Sequence, residues 1–171
     1  MKKKKSFVAL ALVVAVLVLG VGYALNTIEL KVNGDITVSP DDSNFDVKFT
    51  DAKITTHGTL AGQTDVATKG DGKEATLSVK SLKTVGEKVV AEYTITNNSK
   101  AGINATLTTP TATQTVDAAK DYYTVKAELE NNDAIAPNAT KKLTVTVELV
   151  KAPLEDVAGN FTVTFNASAT K

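Results

Sequence analysis

Lys88-Val89-Val90-Ala91-Glu92-Tyr93-Thr94-Ile95-Thr96-Asn97-Asn98-Ser99 is the stretch on which the fold turns. Val89, Ala91, Tyr93 and Ile95 share one parity, while Glu92, Thr94 and Thr96 hold the other. Successive strand side chains point to opposite faces, so this segment buries one face and wets the other. The same period returns on both sides of it. Upstream, Phe45, Val47 and Phe49 alternate with Asp46, Lys48 and Thr50, after which Ala52 and Ile54 carry the apolar phase shifted by one, as a β-bulge produces. Leu77 and Val79 follow, and downstream come Ile103-Ala105-Leu107, Tyr123-Val125-Ala127-Leu129, Leu143-Val145-Val147-Leu149 and Phe161-Val163-Phe165.

With an N-terminal strand described below, these runs predict about eight strands. Turn formers separate them: Gly70-Asp71-Gly72, Val85-Gly86-Glu87, Asn97-Asn98-Ser99, Asn131-Asn132-Asp133, Ala136-Pro137-Asn138 and Gly159-Asn160. One short helix is expected around Val116 to Lys120. Threonine dominates the polar parities, where β-branching is well tolerated. Many short alternating strands between regular turns predict an all-β fold, an antiparallel β-sandwich of the jelly-roll or immunoglobulin-like kind, after an N-terminal signal helix. The pattern leaves the choice between those two connectivities open.

Residues 1 to 38 carry two signals in succession. Lys2 to Lys5 form a positive head, Phe7 to Gly22 is a charge-free apolar run, and Gly22 and Ala24 are small residues at the positions a signal peptidase reads, with Leu25 first after the cut. The apolar run is about 16 residues, short of the roughly 20 a spanning helix needs, and retention as an uncleaved anchor is the alternative. The expected organisation is a signal peptide over 1–24 and a single β-sandwich domain over 25–171. Ile28, Leu30, Val32, Ile36 and Val38 then share one parity, interrupted only by Gly34, and Glu29, Lys31, Asn33, Asp35 and Thr37 fill the other. After cleavage this strand, residues 25–38, lies at the free N-terminus, and the sequence leaves open whether it completes its own sandwich or serves as a donor strand to a neighbour's.

The chain has 19 basic and 19 acidic residues and no cysteine. Every basic residue is a lysine, and the leader holds four of them and no acid, leaving 15 against 19 in a mildly acidic mature part. No basic patch backed by aromatics is present, which argues against nucleic acid as a partner. The 147 residues that follow the leader suffice for one domain with its own core.

Ser81-Leu82-Lys83-Thr84-Val85-Gly86-Glu87, then Tyr93-Thr94-Ile95-Thr96-Asn97-Asn98-Ser99 and Ala105, resembles the "L-x-P-G-D … N-N-x-S/G … A" segment of the TasA/camelysin family. The Lys-rich leader ending in Tyr23-Ala24 and the terminal strand Phe161 to Ala169 extend the resemblance over nearly the whole chain. The resemblance implies an exported jelly-roll protein of the Gram-positive type, related to archaeal pilins, with a leader cut by a dedicated signal peptidase. It further implies assembly into biofilm-matrix fibres, the N-terminal strand of one subunit completing the sheet of the next. Two departures stand out: Thr84-Val85-Gly86-Glu87 lacks the family proline, and Leu25-Asn26 follows the cut where the family carries an aromatic.

The family also includes a protein described as a metalloprotease, but the chemistry is missing here. A zinc protease needs paired imidazoles and a carboxylate base, typically H-E-x-x-H, and His57 is the only histidine. Nor does a G-x-S-x-G elbow accompany it. Asp42, Asn44 and Asp46 open like an EF-hand loop, yet Val47 stands where glycine belongs and Lys53 where the bidentate acid belongs. A different calcium site near Asp41 and Asp42 is the weaker alternative. Asn97, Asn104, Asn138, Asn160 and Asn166 begin N-x-S/T triplets, which matter only in a cell that glycosylates them.

Three readings follow. The first is a non-enzymatic, cofactor-free structural subunit of the cell surface or biofilm matrix, partnered by copies of itself and by a signal peptidase during export, and touching the membrane only through an uncleaved leader. The second is a secreted adhesin or binding module, weakened by the scarcity of loop aromatics. The third is the metalloprotease.

Overall fold

The computed structural model describes residues 27–32, 44–57, 64–79, 82–100, 102–131 and 133–170. Ten strands run through them: β1 Thr27–Val32, β2 Val47–Thr56, β3 Thr64–Thr68, β4 Glu74–Val79, β5 Lys88–Asn97, β6 Asn104–Leu107, β7 Thr111–Gln114, β8 Tyr123–Leu129, β9 Thr140–Leu149 and β10 Phe161–Thr170. The expected helix is a single 3-10 turn, Asp117–Ala119. The strands form two sheets that pack face to face as an all-β sandwich. One has the order β2-β5-β9-β8; the other runs β3-β4-β1-β10-β6, with β7 also on β10.

Alternation sets which face is buried. Val89, Ala91, Tyr93 and Ile95 of β5 are fully buried, as are Leu143 and Val145 of β9; Phe161, Val163, Phe165 and Ala167 of β10 close over them from the second sheet. The Phe49 ring links the layers, lying 5.8 Å from Tyr93 and meeting Phe165 edge-on at 6.0 Å. Each such large side chain contributes roughly 1.5 to 3 kcal/mol by leaving water. Tyr93 crosses the core as well, its hydroxyl donating to the Thr76 carbonyl at 3.2 Å. The phase shift expected after Phe49 is present, because the β2–β5 register slips between Phe49 and Asp51.

Two strands exceed the expected eight. β3 and β7 each carry few aliphatics, in the runs Thr64-Asp65-Val66-Ala67-Thr68 and Thr111-Ala112-Thr113-Gln114, and neither buries a residue fully. Backbone pairing to β4 and β10 defines them, not an apolar stripe. The pairing is antiparallel except at one place, where β1 runs parallel to β4.

Candidate assembly seam

β1 occupies the middle of its sheet. It pairs antiparallel with β10 over six residues, from Thr27 opposite Ser168 to Val32 opposite Val163, and parallel with β4 at Lys31–Glu74 and Val32–Ala75. In the strand order β4 and β10 are each neighbours of β1 and not of one another. Removing β1 therefore splits the sheet into a β3-β4 hairpin and a β10-β6-β7 group. The apolar parity of the candidate strand is in register with the core: Ile28, Leu30 and Val32 stand opposite the buried Ala167, Phe165 and Val163. Ile36 and Val38, the remainder of that candidate strand, lie outside the described residues, as do the cleavage positions Gly22, Ala24 and Leu25 and the acids Asp41 and Asp42.

Beyond Val32 the seam opens into a cleft of about 930 Å³ between Thr76–Val79 of β4 and Gly159–Thr162 at the start of β10. Leu82, Tyr122 and Val157 add to its walls. Polar and apolar side chains share its lining, Asp156 and Thr162 beside Val157 and Phe161, and the connection into β10 leaves Val150, Leu154 and Val157 exposed. Tyr123 braces the far wall: its hydroxyl donates to the Asn160 carbonyl at 3.1 Å, and its ring lies so close over Gly159 that a Cβ there would sit 2.6 Å from the hydroxyl oxygen. Sequence reasoning missed this cleft. Period two tells which face a residue takes, not which strand lies beside it.

The two motifs behind the family resemblance are structural knots at the ends of β5. Asn97 is completely buried, yet its amide donates to the carbonyls of Ile103 at 3.0 Å and Ile135 at 2.8 Å, and its Oδ1 accepts the Ser99 amide at 3.0 Å. Ser99 Oγ in turn accepts the Asp46 amide at 3.0 Å. Every polar atom of that side chain thus ties one loop to another, which explains why the turn begins with asparagine. At the other end Gly86 takes φ 86°, a left-handed conformation suited to glycine, and Glu87 accepts the Lys83 and Thr84 amides at 2.9 and 3.3 Å. The carboxylate closes a turn that has no proline.

Charge is organised around Asp46. Lys48 and Lys73 each reach its carboxylate at 3.0 Å, and Lys73 also donates to the Val47 carbonyl at 2.7 Å. Partial burial raises the Asp46 pKa, but the two lysine hydrogen bonds outweigh it and hold the group below the usual carboxylate value. Lys141 is a buried lysine whose ammonium donates to the Asp133 carbonyl. Burial pushes its pKa down while Asp133 and Glu130 oppose the shift.

His57 is exposed just after β2. Among the described residues no three His, Cys, Asp or Glu side chains converge as a metal-ligand set, and no helix is long and apolar enough to cross a membrane. Comparison with family models, with curated proteins and with solved structures gave no match to this chain.

Proposed function

We propose that this chain is an exported structural subunit of the cell surface or biofilm matrix, which polymerises when the N-terminal strand of one copy enters the seam of the next. The observation that carries this reading is the place of β1: a short strand near the N-terminus that, among the described residues, is the one joining β4 to β10. A strand that pairs on both edges contributes main-chain hydrogen bonds irrespective of which copy supplies it, so the intramolecular and donated forms present the same ladder. Export follows from the Lys2–Lys5 head and the Phe7–Gly22 run, and cleavage after Ala24 frees the strand.

Residues 25–171 and a truncation starting at Ser39 are to be purified and compared by electron microscopy and sedimentation. Concentration-dependent polymers are expected from the longer form alone, and Val32→Asp blocks them. A longer form that stays monomeric at every concentration, with Val32→Asp merely unfolding it, would show that the strand is internal and the subunit does not polymerise.

A further inference from the structure

We infer that the free edge of β8 pairs with the β8 of a second copy of this chain, antiparallel and with a two-fold axis at Ala127. The contact is independent of strand donation at the seam. β8 lies at one margin of its sheet, and among the described residues its one strand neighbour is β9. Two hydrogen bonds at its ends fix its backbone orientation: the Glu130 amide donates to the Lys142 carbonyl at 3.0 Å, and the Val150 amide to the Tyr122 carbonyl at 2.8 Å. Hydrogen-bonded and non-bonded pairs alternate along an antiparallel ladder, so Thr124, Lys126 and Glu128 turn their peptide groups to β9. Val125, Ala127 and Leu129 turn theirs outward. Tyr123 belongs to the same outward set, and its carbonyl accepts from the Gln114 side chain of β7, which closes the edge there and leaves 125–129 open. The opposite margin is guarded: β2 slips register twice along β5, and such irregularities turn an edge away from a second strand. β8 instead matches β9 residue for residue from Tyr123 to Leu129.

The side chains select a second copy as the partner. Lys126 and Glu128 are exposed, and across their own ladder they stand opposite Thr146 and Thr144, not opposite a charge. With the axis at Ala127, position 126 of each copy faces position 128 of the other. Both are non-hydrogen-bonded pairs, in which Cα atoms approach to about 4.5 Å and side chains interact most closely. A lysine on an edge strand ordinarily repels a second strand; here it meets a glutamate. The adjacent registers lose this match, because an axis at Lys126 sets lysine against lysine and an axis at Glu128 sets glutamate against glutamate. Like charges directly opposite destabilise a sheet. On the inner face Val125, Ala127 and Leu129 are half-buried and pack against the core. The same register sets Val125 opposite Leu129 of the second copy and Ala127 opposite itself, and it pairs the outward peptide groups of all three. Because the patch is complementary to itself, the contact closes at two copies.

The chain has no cysteine, so introduced thiols report this contact alone. Full-length chains carrying Lys126→Cys and, separately, Glu128→Cys are oxidised singly and as a mixture, then run on non-reducing gels. The mixture is expected to give disulfide-linked chains of twice the single-chain mass, because positions 126 and 128 face each other within bridging range. Either chain by itself should link poorly, since 126 to 126 and 128 to 128 are diagonal contacts at about 7 to 8 Å, beyond that range. The mixture keeps one ion pair, Glu128 of one chain with Lys126 of the other, which gives a second readout. Lys126→Glu added to the Glu128→Cys chain should cut linkage about fivefold, and Glu128→Lys added to the Lys126→Cys chain should restore it. Both positions are exposed, and unchanged thermal midpoints establish that the variants keep the fold. The inference is overturned if the mixture does not link. It is equally overturned if either cysteine chain links to itself as readily as the mixture does, the mark of another register or of random collision, or if linkage is indifferent to the charge exchange.

Discussion

Replacing Asn97 with alanine should cost the domain about 3 kcal/mol. The side chain makes three hydrogen bonds in a fully buried setting, and each is worth roughly 0.5 to 1.5 kcal/mol net. Their loss falls unequally. The Ile135 carbonyl keeps a second donor, the Ala105 amide at 2.9 Å, but the buried Ser99 loses the side-chain acceptor of its amide. Urea denaturation gives the change as a shift of midpoint at constant slope. The near-isosteric Asn97→Asp separates packing from bonding: it preserves volume and the Ser99 bond but turns a carboxylate oxygen toward two carbonyl oxygens, so it should be at least as damaging as alanine. Asn98→Ala, on an exposed neighbour whose backbone amide still reaches the Asp46 carbonyl, should stay within about 0.5 kcal/mol. If Asn97→Ala and Asn97→Asp are both as mild as the Asn98 control, the network does not hold the end of β5 and the reasoning fails.

Two further outcomes are expected. Gly72→Ala should destabilise by about 1 to 3 kcal/mol in the same assay, because φ is 69° there and the added Cβ would meet the Phe49 carbonyl oxygen and Lys48 Cβ, both at 2.8 Å. Asp46 makes stability depend on acid: its folded pKa lies below its unfolded one, so its contribution is present above the usual carboxylate range and is lost as pH falls through the folded value, below about pH 4. Midpoints measured at stepped pH should fall more steeply there for the native chain than for Asp46→Asn.

The half-buried strands were legible because their two faces differ: β5 and β9 alternate buried with solvent-facing residues along most of their length. The bulge in β2 could be read from a one-residue slip in phase for the same reason. β3 and β7 escaped notice because their stability comes from backbone pairing at the margins of a sheet, leaving Val66 and Ala112 as their main apolar residues packed against the core. Asn97 was recognised as a turn former, and its burial was not, since local sequence does not reveal that Ile103 and Ile135 converge on it. The seam was half legible. The phase of Ile28, Leu30 and Val32 predicted a strand with one apolar parity, but its place between β4 and β10, parallel to one and antiparallel to the other, depends on chain segments more than 40 residues away in sequence.

The most direct test of the account is complementation in trans. A peptide spanning Thr27 to Val38 is titrated into the chain that begins at Ser39, and binding is followed by calorimetry and by the thermal midpoint. The account predicts saturable one-to-one binding and a rise in midpoint, both abolished by Val32→Asp in the peptide. A truncated chain that is folded, yet neither binds the peptide nor is stabilised by it, would contradict the claim that the seam accepts a strand from another molecule.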